Sequence, residues 1–153
     1  MKSLLLAAFT CLTLALSTAE ERPNFLIIFI DDMGYGDPSC YGNTAVETPH
    51  IEQLAKDGTR FTSFYAQSVC GPSRGALMTG RYPHRLGGGW TTNAEEIFIS
   101  DILQEAGKAT GCVGKWDMSK RRYQEALVPN SQGFDWYFGA RGANDGNKVT
   151  LSE

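Results

Sequence analysis

Phe25-Leu26-Ile27-Ile28-Phe29-Ile30-Asp31-Asp32 is a continuous apolar run that stops abruptly on two carboxylates. The run is too short for a helix and is built from residues that suit a strand buried on both faces. Gly34, Gly36, Asp37 and Pro38 then mark a loop, so Asp31 and Asp32 are expected at the carboxyl end of an inner strand. In open α/β sheets that edge is where ligands bind. Adjacent aspartates there suit a hard divalent cation, which takes oxygen ligands from loops of this kind. Taken by themselves they fit better a turn in which one aspartate accepts backbone N–H bonds.

The same grammar continues downstream. Thr48-Pro49 predicts a helix start, with threonine as N-cap and proline at the first helical position. Ile51, Leu54 and Ala55 form an apolar stripe, Glu52 and Lys56 pair one turn apart, and Gly58 stops the helix. That helix reads as packing. The stretch from Arg60 to Ala66 suggests a short strand leading into a loop, and Gly71 to Gly80 a helix opening on a proline. Ser100 is expected to cap a helix through Ile102, Leu103 and Ala106, closed by Gly107. Ala109 to Gly114 reads as a further strand with Lys115-Trp116-Asp117 at its carboxyl end. Strand, helix and strand in this order point to βαβ units: an α/β fold with a mainly parallel, mixed central sheet flanked by helices. From Ser119 onward the chain reads as polar and irregular, with an aromatic patch at Gly133-Phe134-Asp135-Trp136-Tyr137-Phe138. It reaches Val149-Thr150-Leu151 without a capped element, as though cut within a domain. No internal repeat or low-complexity tract is present.

The 153 residues suffice for one modest domain. Met1 to Ala19 has the layout of a secretory signal peptide: a basic start, an apolar stretch over Leu4 to Leu16 and small residues at Ser17-Thr18-Ala19. A membrane anchor is the competing account, but the stretch falls short of the ~20 residues that span a bilayer. Cys11 lies in that stretch without a convincing lipidation context, which makes a lipoprotein the minor alternative. No later segment suits a stable membrane span, so residues 20–153 form the mature part. A net charge of −3 argues against a nucleic-acid partner, whose counterion release needs a basic surface. Arg81, Arg85 and the run Lys120-Arg121-Arg122 are local exceptions, the last a solvated stretch. Beyond the leader remain Cys40, Cys70 and Cys112. Export permits disulfides, and an odd count leaves one thiol unpaired or altered. Cys40 and Cys112 either pair or stand as two small buried thiols.

Cys70-Gly71-Pro72-Ser73-Arg74 is the most specific string in the chain. A cysteine at a helix start, with arginine about one turn in, puts a reactive side chain where backbone N–H groups and a cation face it, a place suited to an anion. Cys70 is the candidate nucleophile or its precursor, and Arg74 would hold an anionic group bidentately. A buried structural cysteine is the plainer account, but proline, serine and arginine at these offsets do not follow from packing.

At this point the chain resembles the N-terminal part of a formylglycine-dependent sulfatase, arylsulfatase-like, of the alkaline phosphatase superfamily. The matching pieces are P-N-F-L-I-I-F-I-D-D-M-G-Y-G-D (23–37), Y-G-N with T-P-H-I-E-Q-L-A-K-D-G-T-R-F-T (41–62), C-G-P-S-R-G-A-L-M-T-G-R-Y-P-H-R (70–85) and G-K-W (114–116). G-F-D-W-Y-F-G (133–139) also resembles a family segment. The resemblance implies an alkaline phosphatase-like fold, incomplete over this length, and hydrolysis of sulfate esters. It implies that Cys70 is oxidised during export to formylglycine, with Pro72 and Arg74 read by a formylglycine-generating or sulfatase-maturating enzyme. Asp31, Asp32 and residue 70 would bind Ca²⁺ or Mg²⁺. Arg74 would steady the hydrated aldehyde, and Lys115 would bind the substrate, an aryl sulfate or sulfated glycan. One hydroxyl of the hydrate attacks sulfur and the second allows sulfate to leave. The protein would then be exported: periplasmic or secreted, or lysosomal in a eukaryote.

Two departures from the family pattern matter. The family usually has histidine two residues after the lysine, where this chain has Asp117; an aspartate can serve as a base but adds negative charge near an anionic substrate. His50 and His84 have structural or surface positions and do not replace it. Family members also run to several hundred residues, and a further Asp-Asn metal pair, a histidine acid and a second lysine come from beyond residue 153. Asn144-Asp145 has the residue types in reversed order and too early, and reads as a turn. The isolated stretch is therefore expected to be inactive. The alternatives are a phosphonate or phosphate ester hydrolase of the same superfamily and a non-catalytic remnant that binds sulfated glycans.

Overall fold

A computed structural model describes residues 22–86, 92–118, 125–142 and 149–152. The leader, Lys120 to Arg122 and Asn144-Asp145 lie outside the described residues. Contacts divide the chain into two compact units, Met1–Tyr35 and Gly36–Glu153.

In the first unit the run Phe25 to Ile30 is extended but belongs to no strand ladder. Its side chains are exposed, from 39% at Phe29 to 86% at Leu26, which corrects the expectation of a buried inner strand. Such a strand is buried only where partner strands flank it and helices cover both faces. The sheet that forms here is assembled from residues 111–152 and does not include the run. The chain bends at Asp31-Asp32, and Asp32 has φ 55°, a left-handed conformation that aspartate tolerates better than most residues.

The second unit carries a three-stranded mixed sheet in the order β1-β2-β3. β1 (Gly111–Val113) runs parallel to β2 (Trp136–Ala140), with Cys112 opposite Tyr137. β3 (Val149–Ser152) runs antiparallel to β2, with Leu151 opposite Phe138. The aromatic patch is thus the central strand and the 149–151 stretch an edge strand, where the sequence suggested irregular chain. Trp136 to Ala140 alternates exposed and buried, and Tyr137 is fully buried. Gly139 permits the closest approach in the sheet, since a Cβ there would run into the Gly114 carbonyl.

Helix α1 (Pro49–Asp57) has Thr48 at its N-cap and proline in its first turn. The Thr48 hydroxyl serves the neighbouring turn: it accepts from the Ser39 amide at 2.9 Å and bonds the Ser39 hydroxyl at 2.9 Å. Lys56 and Glu52 pair at 2.9 Å. No residue of α1 is buried and Leu54 is 65% exposed, so the apolar stripe is not a core face within this unit; polar bonds to Ser39 hold the helix instead. Residues 60–66 form no strand either. Arg60 donates to the Cys40 carbonyl and lies over the Tyr41 ring at 5.4 Å, while Tyr41 Oη donates to the Phe61 carbonyl at 2.8 Å. Side-chain anchors there take the place of a ladder.

Helix α2 (Cys70–Thr79) ends on Gly80 at φ 65°. Helix α3 (Ile99–Glu105) is capped at Phe98, not Ser100: the Phe98 amide donates to Asp101 Oδ2 at 2.8 Å. Ser100 is buried and donates to the Gln132 carbonyl. The core sits between these helices and the sheet, where Phe98, Trp116, Met118 and Tyr137 cluster with Met78, Cys112 and Phe134 against them. Cys40, Cys70 and Cys112 are all free thiols, so Cys40 and Cys112 do not pair. Among the described residues no helix is long and apolar enough to cross a membrane.

Candidate active site

Cys70 is the first residue of α2, after Val69 in extended conformation. Ser73 fixes this entry. Its hydroxyl donates to the Val69 carbonyl at 2.9 Å and accepts from the Gln67 amide at 2.9 Å, so one buried side chain ties the incoming loop to the first helical turn. Gly75 lets the helix pack closely, for a Cβ would come 3.1 Å from Leu86 and 3.2 Å from Thr92.

The second half of the site comes from the continuation of β1. The Gly114, Trp116 and Asp117 amides donate to the Phe138, Ala140 and Arg141 carbonyls at 2.8, 2.9 and 3.2 Å. Tyr137 Oη adds a bond to the Gly114 carbonyl at 2.9 Å. This extended stretch alternates. Trp116 and Met118 turn into the core, each 2% exposed, and Trp116 stacks on Phe98, meets Phe134 edge-on and donates Nε1–H to the Leu127 carbonyl at 2.8 Å. Lys115 and Asp117 project the opposite way, onto the start of α2.

There the side chains close a triangle. Lys115 Nζ donates to Cys70 Sγ at 3.2 Å, the Cys70 thiol donates to Asp117 Oδ2 at 3.1 Å, and Lys115 Nζ lies 3.6 Å from Asp117 Oδ2. Lys115 and Asp117 are largely shielded, with side chains 12% and 22% exposed, so their charges act through less water than a surface pair. Arg74 Nη1 donates to the Lys115 carbonyl at 2.5 Å, bracing the lysine backbone from α2. Asp117 has φ 53°; aspartate, asparagine and histidine tolerate that conformation best among side-chain-bearing residues. Behind the triangle, burial pushes the Cys112 thiol up to about 11, with Arg74 pulling the other way. Burial likewise pushes Tyr137 up to about 12; Cys112 adds to the rise while Arg141 and Arg74 oppose it.

Cys70, Arg74, Lys115 and Asp117 therefore meet across more than 40 residues of sequence. Ser73 and Trp116 position them, and in the sequence neither has a signal beyond its place in the motifs. Pro72 lies in the first turn of α2, where its missing N–H costs nothing. Asp31 and Asp32 sit in the other unit. His50 lies on α1, and His84 stacks on Tyr82 with ring centroids 5.7 Å apart.

The sequence model of one family, Sulfatase, matches residues 23–149. The chain belongs to the sulfatase family. Human arylsulfatase A is 41% identical over 147 residues, covering 88% of this chain and 28% of that protein. An N-acetylgalactosamine-6-O-sulfatase of Bacteroides thetaiotaomicron is 43% identical over 135 residues, covering 78% of this chain and 26% of that one. Among solved structures, Ps i-CgsB in complex with k-i-k-neocarrahexaose superposes with a TM-score of 0.67 at 40% identity, over 74% of this chain and 27% of that chain. The fold of this sulfatase chain is thus alkaline phosphatase-like. It spans little more than a quarter of the length of the relatives it matches.

Two groups implied by the family can be tested against the residues of this sulfatase chain. A hydroxyl-bearing group at position 70 fits, because Sγ already has an acceptor on one side and a donor on the other, the two roles a hydroxyl fills. The Cys70 sulfur stands where the oxygen of an oxidised residue would stand. For a hard divalent cation the Asp31-Asp32 pair offers the right donor type. Among the described residues no group of three or more His, Cys, Asp or Glu side chains gathers around one point.

Proposed function

We propose that this protein is a sulfuric ester hydrolase in which Cys70, converted to formylglycine, is the nucleophilic residue. The observation that carries the proposal is the convergence of a donor, Lys115 Nζ, and an acceptor, Asp117 Oδ2, on Cys70 Sγ at 3.2 and 3.1 Å. When present, the aldehyde hydrate supplies a hydroxyl to attack sulfur and a second hydroxyl whose deprotonation releases sulfate. Lys115 neutralises charge gathering on the sulfuryl oxygens, a task for a shielded, fixed cation. Asp117 Oδ2, already accepting from residue 70, takes the proton from the hydroxyl there. Arg74 acts through the Lys115 backbone and keeps the ammonium aimed. Asp31 and Asp32, with residue 70, are the donors that the resemblance gives to Ca²⁺ or Mg²⁺, which would supply Lewis-acid charge to the sulfate oxygens.

The substrate class is an aryl sulfate or a sulfated glycan, a reading supported by the relatives' names. Residues 1–19 act as an export signal and 20–153 as the N-terminal portion of the catalytic domain. The protein is then periplasmic or secreted, or lysosomal in a eukaryote, and meets a formylglycine-generating or sulfatase-maturating enzyme that reads Cys70, Pro72 and Arg74. The test is peptide mass spectrometry of the tryptic segment 61–74 from a host with that enzyme, followed by assay of the entire gene product on an aryl sulfate beside an aryl phosphate. An aldehyde at residue 70 and turnover of the sulfate are expected. An unmodified thiol in that host would sink the proposal.

A further inference from the structure

Taking the sulfate-ester assignment as its basis, we infer that Asp117 sets the charge class of the substrate, admitting singly charged esters and rejecting doubly charged ones. The attacking atom belongs to residue 70, and Asp117 Oδ2 lies 3.1 Å from the atom now there. Any sulfur or phosphorus centre bonded from that atom brings its oxygens within a few ångströms of the carboxylate. Lys115 attracts the incoming anion, but its Nζ also lies 3.6 Å from Asp117 Oδ2, so part of its field is already cancelled.

A sulfate ester carries one negative charge. A phosphate monoester carries two once its second ionisation, at a pKa of about 6, is passed. The carboxylate opposes each charge separately, so the dianion suffers the repulsion twice. One further unit charge about 4 Å away costs roughly fivefold in binding if screened as in bulk water, and roughly a thousandfold under the screening near a protein surface. Side chains only 12% and 22% exposed lie between those limits. A histidine at position 117, as the resembled family usually has, exerts no such penalty. Charge, not the identity of the central atom, is the property Asp117 senses, so singly charged phosphonate monoesters are admitted with sulfates.

The test uses the entire gene product and its Asp117→Asn and Asp117→His variants. Asparagine and histidine suit the left-handed backbone at this position, and circular dichroism establishes that each variant is folded. Calorimetry measures binding of three ligands of one shape: phenylmethanesulfonate, the doubly ionised phenylmethanephosphonate, and the methyl monoester of that phosphonate, which carries a single charge and is checked for release of methanol. The parent is expected to favour the sulfonate over the dianion, and both variants to shrink that ratio at least about tenfold. The singly charged phosphonate ester should track the sulfonate. An unchanged ratio in both variants overturns the inference, as does a phosphonate monoester that tracks the dianion. Failure of the parent to turn over either an aryl sulfate or a sulfated glycan overturns the sulfatase assignment itself and this inference with it, and is distinguished by that separate activity readout.

Discussion

Lys115 Nζ donates to Cys70 Sγ at 3.2 Å across 45 residues of sequence. A largely shielded ammonium aimed at the proposed nucleophile would be a charge-stabilising group already in place. Lys115→Met keeps the length and apolar stem of the side chain and removes only the charge. The variant of the entire gene product is expected to lose roughly a hundred- to a thousandfold in kcat/KM on an aryl sulfate, the range for deleting one such group. Its aldehyde content, read by mass spectrometry, should match the parent, because Lys115 lies outside the Cys70-Pro72-Arg74 signal.

Arg74 bonds the Lys115 carbonyl at 2.5 Å, a contact that fixes backbone. Arg74→Lys keeps the charge but loses the planar fork. Stability is expected to fall by about 1 kcal/mol, the typical value of one hydrogen bond, in urea unfolding. Because Arg74 also belongs to the maturation signal, activity is taken per aldehyde at residue 70; it should fall further than that loss explains, since the lysine at 115 is no longer braced. Equal activity in parent and variant would remove Arg74 from any positioning role.

Ser73 is the hinge between loop and helix, bonding both Val69 and Gln67. Ser73→Ala leaves the Gln67 amide without its hydroxyl acceptor, and the expected cost is about 1–3 kcal/mol. Ser73→Thr retains the hydroxyl and should recover most of that stability. A urea midpoint unmoved by the alanine variant would show that the loop is held by other contacts.

The two halves of the candidate site are readable in the sequence because each is contiguous: Cys70 to Arg74, and Lys115 to Asp117. Their meeting is not readable, since it depends on register. β1 is aligned by its parallel pairing with Trp136 to Ala140, a stretch that reads as an aromatic patch in irregular chain until Tyr137 is seen fully buried in a strand. The run Phe25 to Ile30 illustrates the converse limit. Hydrophobicity says that a segment can be buried, but not which partner covers it, and here all six side chains are exposed. At α3, serine propensity pointed to Ser100 as the cap. The Asp101 carboxylate reaches the Phe98 amide first, which frees Ser100 to bond Gln132.

Trp116 links the core to the site, with Lys115 and Asp117 on either side of it in sequence. Trp116→Phe keeps an aromatic ring beside Phe98 and Phe134 but drops the Nε1–H bond to Leu127, at an expected cost of about 1 kcal/mol. Trp116→Ala removes the ring and should cost about 3–5 kcal/mol. If the alanine variant unfolds at the same urea concentration as the parent, the cluster is not the core of this unit.

Cys112 and Tyr137, opposite each other across β1 and β2, make stability fall at alkaline pH. Burial raises the thiol from 9.0 to about 11 and the phenol from 10.0 to about 12. In the unfolded chain both ionise at the lower values, whereas the folded protein keeps the protons. The folded state therefore binds more protons between the two limits, and the slope of unfolding free energy with pH is negative there. The thiol's contribution is complete below 9.0 and is lost as pH rises toward about 11; that of the phenol is lost between 10.0 and about 12. Urea midpoints measured under reducing conditions should begin to fall near pH 9 in the parent. In Cys112→Ala the decline should start about one unit later, set by Tyr137 alone, whatever the alanine costs in absolute stability. A parent midpoint that stays level between 9.0 and 10.0 would contradict the burial of the Cys112 thiol, because only a proton held tighter by the folded state can produce that slope.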